Sequence, residues 1–178
     1  MSDKIFVGKR VVLGVTGSIA AYKAVYLARL LVQHGAEVWP ILTPSAQRFI
    51  GPLSFAVICG RRPIVDLWER AESGEVSHIE LAHQLDAMVI APCTAETLTK
   101  LALGRADDPL CAIALATPKP VMVAAAMESA MWLHPSTQQH VASLSTRMPV
   151  LAPDEGALAS GREGVGRMRE PEAIVEEL

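Results

Sequence analysis

The sequence predicts a doubly wound α/β fold: a parallel sheet flanked by helices, in a single domain over 1–178. Three observations carry this expectation. Several short runs are apolar throughout rather than alternating, namely Val11–Val15, Ala87–Ala91 and Val121–Ala125. Such runs belong to strands covered on both faces, the pattern of a parallel sheet. Amphipathic segments of helical period lie between them. The chain of 178 residues, 51% hydrophobic and 20% charged, is long and apolar enough for one core and excludes a disordered polymer.

Each element has its own signal. Val11–Val15 is a buried strand. Ile19–His34 is a helix, with Ile19, Tyr22, Tyr26, Ala28, Leu30 and Leu31 near helical spacing and Gly35 closing it. Val38–Thr43 is a second strand, where Pro40 implies an edge or a bulge. Ser45–Phe49 and Leu53–Ile58 read as short helices. Ser77 and Glu80 form a capping box that opens a helix and sets His78 in its first turn. Ala87–Ala91 is the third strand, and Thr94–Leu103 is a helix ended by Gly104. Val121–Ala125 is the fourth strand, Pro135–Leu144 a helix begun by proline, and Val150–Ala152 a short fifth strand. Pro153–Arg167 carries Gly156, Gly161, Gly164 and Gly166, and its composition suits a mobile flap over a site. Pro171–Glu177 closes the chain as a helix.

Charge and composition narrow the function classes. There are 16 basic against 19 acidic residues, a formal net charge of −3, so the basic footprint of a nucleic-acid binder is missing. Cys59, Cys93 and Cys111 form no C-x-x-C and no disulfide framework, which points to a reducing compartment. The apolar runs fall far short of the ~20 residues of a membrane span. The first ten residues lack the long apolar stretch of a signal peptide. A cytoplasmic protein with no membrane or nucleic-acid partner is therefore expected. His34, His83, His134 and His140 lack i,i+4 partners, and no metal site is expected.

In doubly wound sheets ligands bind beyond the carboxyl ends of the strands, and four loops qualify. Gly14-Val-Thr-Gly-Ser-Ile-Ala20 lies between the first strand and helix, where glycine permits close approach and a helix start offers N–H groups to phosphate. It is not the dinucleotide G-x-G-x-x-G. The second strand ends in Thr43-Pro-Ser45 rather than in an acid for a nicotinamide ribose. Together they favour a mononucleotide such as FMN over NAD, although such a turn also serves as a plain tight connection. His78, beside a helix start that disfavours a cation, would stay neutral and able to accept a proton, or would be a surface residue beside a cap. Ala91-Pro-Cys-Thr-Ala-Glu-Thr97 could press against a ring and donate N–H groups to it, or simply join strand to helix. Met127, Met131 and Trp132 follow the fourth strand and could wall a pocket or fill the core.

Several motifs occur together in one order: Gly-Ser-Ile-Ala-Ala-Tyr-Lys (17–23), Leu-Thr-Pro-Ser-Ala (42–46), Ser-His-Ile-Glu-Leu-Ala (77–82), Ile-Ala-Pro-x-Thr-Ala-x-Thr (90–97), Ala-Asp-Asp (106–108), Ala-Met-x-x-x-Met-Trp (126–132) and Gly-x-Gly-Arg-Met (164–168). With these the chain resembles the flavin-containing cysteine decarboxylases, most closely their phosphopantothenoylcysteine decarboxylase branch in coenzyme A biosynthesis. The resemblance implies a Rossmann-like flavoprotein that holds FMN near the interface between protomers of a trimer, often built into a dodecamer. It implies that Gly17, Ser18, Ile19, Thr43 and Ser45 hold FMN, and that Pro92, Thr94, Ala95, Glu96 and Thr97 line it. His78 matches the family's active-site histidine. Met127, Met131, Arg167 and Met168 fall where substrate binds.

The implied reaction oxidises a cysteinyl thiol to a thioaldehyde, which releases carbon dioxide and leaves an enethiol. The reduced flavin then returns hydride, and a flap cysteine supplies a proton. This chain departs from the family pattern at three positions: Glu96 and Glu128 stand where the family has Asn, and Ser160 stands where it has that cysteine. The Asn at the position of Glu128 binds the substrate carboxylate. A carboxylate there opposes the same substrate by roughly 4 kcal/mol at ~4 Å and an intermediate dielectric. If Glu96 and Glu128 lie together, one pKa rises. Ser160 is a far weaker acid than a thiol, and Cys93 is either a substitute thiol or a small buried residue. The resemblance therefore leaves three readings: the decarboxylase itself, a paralogue with another substrate, and an inactive flavin-binding or regulatory subunit.

Overall fold

The computed structural model describes residues 4–66 and 78–178. Ser77, half of the expected capping box, lies outside the described residues. The strands are β1 (Arg10–Val15), β2 (Glu37–Leu42), β3 (Ala87–Cys93), β4 (Val121–Ala125) and β5 (Val150–Leu151). They form a parallel sheet in the order β2-β1-β3-β4-β5. The order reverses between β1 and β3, so the ligand crevice of a doubly wound sheet falls at their carboxyl ends. The expected Rossmann-like architecture is therefore the observed one.

The helices are α1 (Ala21–Gln33), α2 (Pro52–Cys59), α3 (His78–Gln84), α4 (Ala95–Ala102), α5 (Pro109–Ala116), α6 (Ser129–Trp132), α7 (Pro135–Ser145) and α8 (Pro171–Glu177). A single 3-10 turn, Ala46–Arg48, stands where a short helix was expected. The pleat of β1 divides the core. Val11, Leu13 and Val15 meet α1, α2 and α8 on one face, while Val12 meets the cluster of α3, α4, α5 and α7 on the other.

Pro40 pairs with Leu13 in the edge strand β2, as its missing donor requires. Its carbonyl accepts from Ile64 N–H, so the outer edge is partly covered. The helix after β1 starts two residues later than the pattern suggests, and the aromatic positions are reassigned. Ile19, Tyr22 and Tyr26 are exposed, whereas Ala21, Ala24, Leu27, Ala28 and Leu31 face the sheet. Small side chains let the helix lie close to the strands, and the rings are displaced outward. Gly35, at φ +93°, ends α1 with the paired bonds Ala36 N–H to Leu31 O and Gly35 N–H to Val32 O.

The largest departure is at 153–167. The expected irregular segment contains an antiparallel hairpin of β6 (Asp154–Ala157) and β7 (Glu163–Arg167), with a register shift between Asp154 and Glu155. Its glycines serve close packing as well as turning. A Cβ on Gly166 would collide with the Met127 carbonyl, and one on Gly164 would lie 2.8 Å from Ser129 Oγ. Among the described residues no helix is long and apolar enough to cross a membrane.

Candidate functional site

The carboxyl ends of the strands are laced together. Thr43 N–H donates to Val15 O, Ala126 N–H to Cys93 O, and Met127 N–H to Gly166 O. Between β1 and β3 the link is a side chain: Thr16 Oγ1 donates to Pro92 O at 2.7 Å and accepts from Thr94 N–H at 3.1 Å. A cavity of about 610 Å³ opens above this seam.

The cavity collects most of the residues singled out for cofactor binding. Gly17, Ser18, Thr43 and Ser45 form one wall, and Thr94, Ala95, Glu96 and Thr97 form another. Met127 and Met131 close a third side. Pro92 is buried beneath the floor and contributes its carbonyl to the Thr16 link. Gly17 is there because the two loops touch: a Cβ on it would collide with the Ser45 side chain and lie 3.0 Å from the Ser45 carbonyl carbon. The Ala20 N–H turns back to Ser18 Oγ, and the N–H groups of Gly17 and Ile19 have no hydrogen-bond partner among the described residues.

The wall's opposite end is acidic. Lys100 is surrounded by Asp108 at 3.1 Å, Asp107 at 3.3 Å and Glu96 at 4.0 Å. Burial disfavours the Lys100 charge, but hydrogen bonds and attraction from Asp108 and Asp107 outweigh it and raise its pKa. Asp108 also caps α5 through Cys111 N–H. Arg105 also pairs with Asp107 at 2.7 Å, so two cations face three carboxylates and this end stays net negative, which favours an anionic group at the Gly17–Ser45 end. Free N–H groups, a helix start and hydroxyls there suit a phosphate, and the cavity is large enough for a mononucleotide.

A second cleft of about 390 Å³ shares Ser18, Ala126 and Met127 with the first. It brings together Ile19, Glu128, Arg167 and Met168, with Lys23 and the hairpin residue Leu158. Both cations are already engaged: Lys23 Nζ lies 2.7 Å from Glu170, and Arg167 lies 3.2 Å from the same carboxylate. Glu128 and Glu96 thus line different clefts, which separates the two carboxylates whose crowding was considered.

His78 begins α3, is half-buried, and lines neither cleft of the single chain. Ser160 sits exposed in the hairpin turn and lines neither. Cys93 is buried among Ile41, Leu98 and Leu110, and burial holds its thiol pKa far above the ordinary value. It is a core residue rather than a thiol facing the site. Burial likewise pushes Cys111 up to about 12 and Cys59 up to about 11. Sequence reasoning missed Thr16, Lys23 and Lys100. The usable signals were a hydroxyl directly after a buried strand and lysines inside quoted motifs or spaced to reach Asp-Asp.

The profile of the family described as Flavoprotein matches residues 4–178. The chain belongs to this family. Flavoprotein family relatives include the coenzyme A biosynthesis bifunctional protein CoaBC of Haemophilus influenzae, 42% identical over 168 residues. That match covers 94% of this chain and 42% of the relative, so the chain spans about two fifths of its length. Among solved structures, a PPC decarboxylase mutant complexed with pantothenoylaminoethenethiol superposes with a TM-score of 0.86 at 35% identity, covering 95% of both chains. The FMN binding protein AtHal3 gives 0.82 at 34% identity, covering 95% of this chain and 94% of the other.

Proposed function

We propose that this chain is an FMN-dependent decarboxylase of a cysteinyl substrate, of the phosphopantothenoylcysteine type in coenzyme A biosynthesis. The observation that carries the reading is convergence. Loops after β1, β2 and β3, distant in sequence, meet around one cavity whose Gly17–Ser45 end is free of acids and offers unpaired N–H groups. The similarity to a PPC decarboxylase over 95% of both chains supports assigning decarboxylase chemistry to that cavity.

Gly17, Ser18, Ile19, Thr43 and Ser45 would hold the FMN phosphate. Pro92, Thr94, Ala95, Glu96 and Thr97 would back the rest of the cofactor. FMN bound there supplies a two-electron acceptor for a thiol. The adjoining cleft would take the substrate, with Met127, Met131 and Met168 providing apolar contact and Arg167 standing at the hairpin. Residues 153–167 are the candidate flap, with the Ser160 hydroxyl at its tip as the candidate proton donor. His78, which lines neither cleft in the single chain, would serve a site completed by another copy, in a cytoplasmic homotrimer or a dodecamer built from trimers. The exposed Ile19, Tyr22, Tyr26, Phe49, Leu53 and Val57 supply apolar surface for such assembly.

The test is anaerobic addition of phosphopantothenoylcysteine to the FMN-loaded protein. The expected outcome is bleaching of the visible flavin band with release of carbon dioxide. A yellow protein that neither bleaches nor releases the gas defeats the reading. One observation favours a second reading, a related enzyme whose substrate is cationic or neutral at this point: Glu128 lines the smaller cleft, and among the described residues its carboxylate has no hydrogen-bond or ion-pair partner. Under the first reading Glu128→Asn lowers the KM for phosphopantothenoylcysteine, by about tenfold or more if the two carboxylates approach. A KM that rises instead selects the second.

A further inference from the structure

We propose that Thr16 is a positioning residue that sets the separation of the two cofactor loops. The proposal rests on the flavin reading above and concerns a residue that makes no part of its motif argument. Thr16 is 1% exposed and lies on the floor of the larger cavity, at the point where the strand order reverses. At the carboxyl ends on either side the neighbouring strands are tied backbone to backbone, by Thr43 N–H to Val15 O and Ala126 N–H to Cys93 O. Between β1 and β3 a single hydroxyl does both halves of the task. It gives its proton to Pro92 O and takes the Thr94 N–H, the two polar groups that flank Cys93 at the end of β3.

The consequences run in both directions along the chain. The residue after Thr16 is Gly17, whose N–H is unpaired and whose Cα is pressed on Ser45. Thr94 is the residue before α4, and it adopts an extended conformation with no cap bond from its own side chain. The height of the α4 start over the cavity is therefore set by where Thr94 N–H is held, and Thr16 holds it. A hydroxyl that donates and accepts at once has a fixed orientation, since its one proton is committed to Pro92 O. Without it, the buried Pro92 carbonyl and the part-buried Thr94 N–H lose this partner and the loops part to admit water. Flavin binding would then have to draw them together again.

The experiment compares the full chain with Thr16→Val and Thr16→Ser. FMN affinity is read by quenching of flavin fluorescence, the visible spectrum of the bound flavin is recorded, and the thermal midpoint of the flavin-free protein is measured alongside. Valine keeps the shape and removes the hydroxyl, so Kd is expected to rise about tenfold to a hundredfold. Serine keeps the hydroxyl, and its Kd is expected to stay within about threefold of the parent. A purely structural threonine would lower the thermal midpoint and leave Kd and spectrum unchanged, and that result overturns the proposal. So does a serine variant as weak as the valine one. If Thr16→Val does not fold, Thr16→Cys replaces it: a weaker donor at the same place must weaken binding, and unchanged affinity overturns the proposal. A parent protein that binds no FMN overturns the flavin reading and this role together, whereas a parent that binds with an equally tight Thr16→Val overturns this role alone.

Discussion

Gly17 shows how one missing methyl group shapes the site. Its Cα lies against Ser45, so a Cβ would strike the Ser45 side chain and crowd its backbone. Backbone cannot swing aside as a side chain can, and the β1 and β2 loops would have to separate. Gly17→Ala is therefore expected to weaken FMN binding by about tenfold or more, read by fluorescence titration, with secondary structure unchanged by circular dichroism. An alanine variant of parental affinity would show that the close approach of these loops is irrelevant to the cofactor. Glu128, by contrast, matters through charge, and its exchange for asparagine reads the sign of the substrate at that position.

Among the elements, the β6–β7 hairpin depends most on its neighbours. It is a two-stranded sheet outside the main one, and an isolated hairpin is marginal in water. Met127 N–H donates to Gly166 O in the hairpin itself, and just beyond it Lys23 Nζ holds Met168 O and Glu170, which also takes Arg167. Gly166 sits where the backbone of the β4 exit loop passes. Gly166→Ala is expected to cost about 1–3 kcal/mol by urea unfolding and to speed proteolysis within 153–167. A variant as stable and as resistant as the parent would mean that the hairpin is not seated by this contact.

At the scale of the whole molecule, four carboxyl groups among the described residues are held below their ordinary pKa. The backbone N–H of Arg10 lowers Asp86, and the Lys23 hydrogen bond lowers Glu170. At Glu37 and Asp107 burial opposes the charge, but the hydrogen bonds of Arg61 and Lys100 prevail. A carboxyl group whose folded pKa is depressed stabilises the fold above its unfolded pKa and loses that contribution as pH falls through the folded value. Stability is thus expected to be level from pH 7 to about 5 and to decline below about 4, measured by thermal midpoint against pH. The four side chains are between 36% and 53% exposed, so screening keeps the decline modest, and salt should flatten it further. A midpoint that rises on acidification would contradict these assignments.

Local sequence determined the sheet and its helices. Continuous apolar runs cannot be satisfied except between two covering layers, and glycines and prolines mark the ends of α1, α4 and α7. The motifs marked the loops after β1, β2 and β3, because phosphate-holding turns need small residues and hydroxyls next to one another in the chain. Tertiary structure alone decided the rest. The outward turn of Tyr22 and Tyr26 follows from how closely α1 lies on the sheet. The hairpin at 154–167 is seated where Met127 N–H reaches Gly166 O, and Lys23 fixes the chain just after it at Met168, both contacts distant in sequence. The separation of Glu96 from Glu128, and the grip of Thr16 on a loop 76 and 78 residues distant, depend on long-range contacts that no local pattern records.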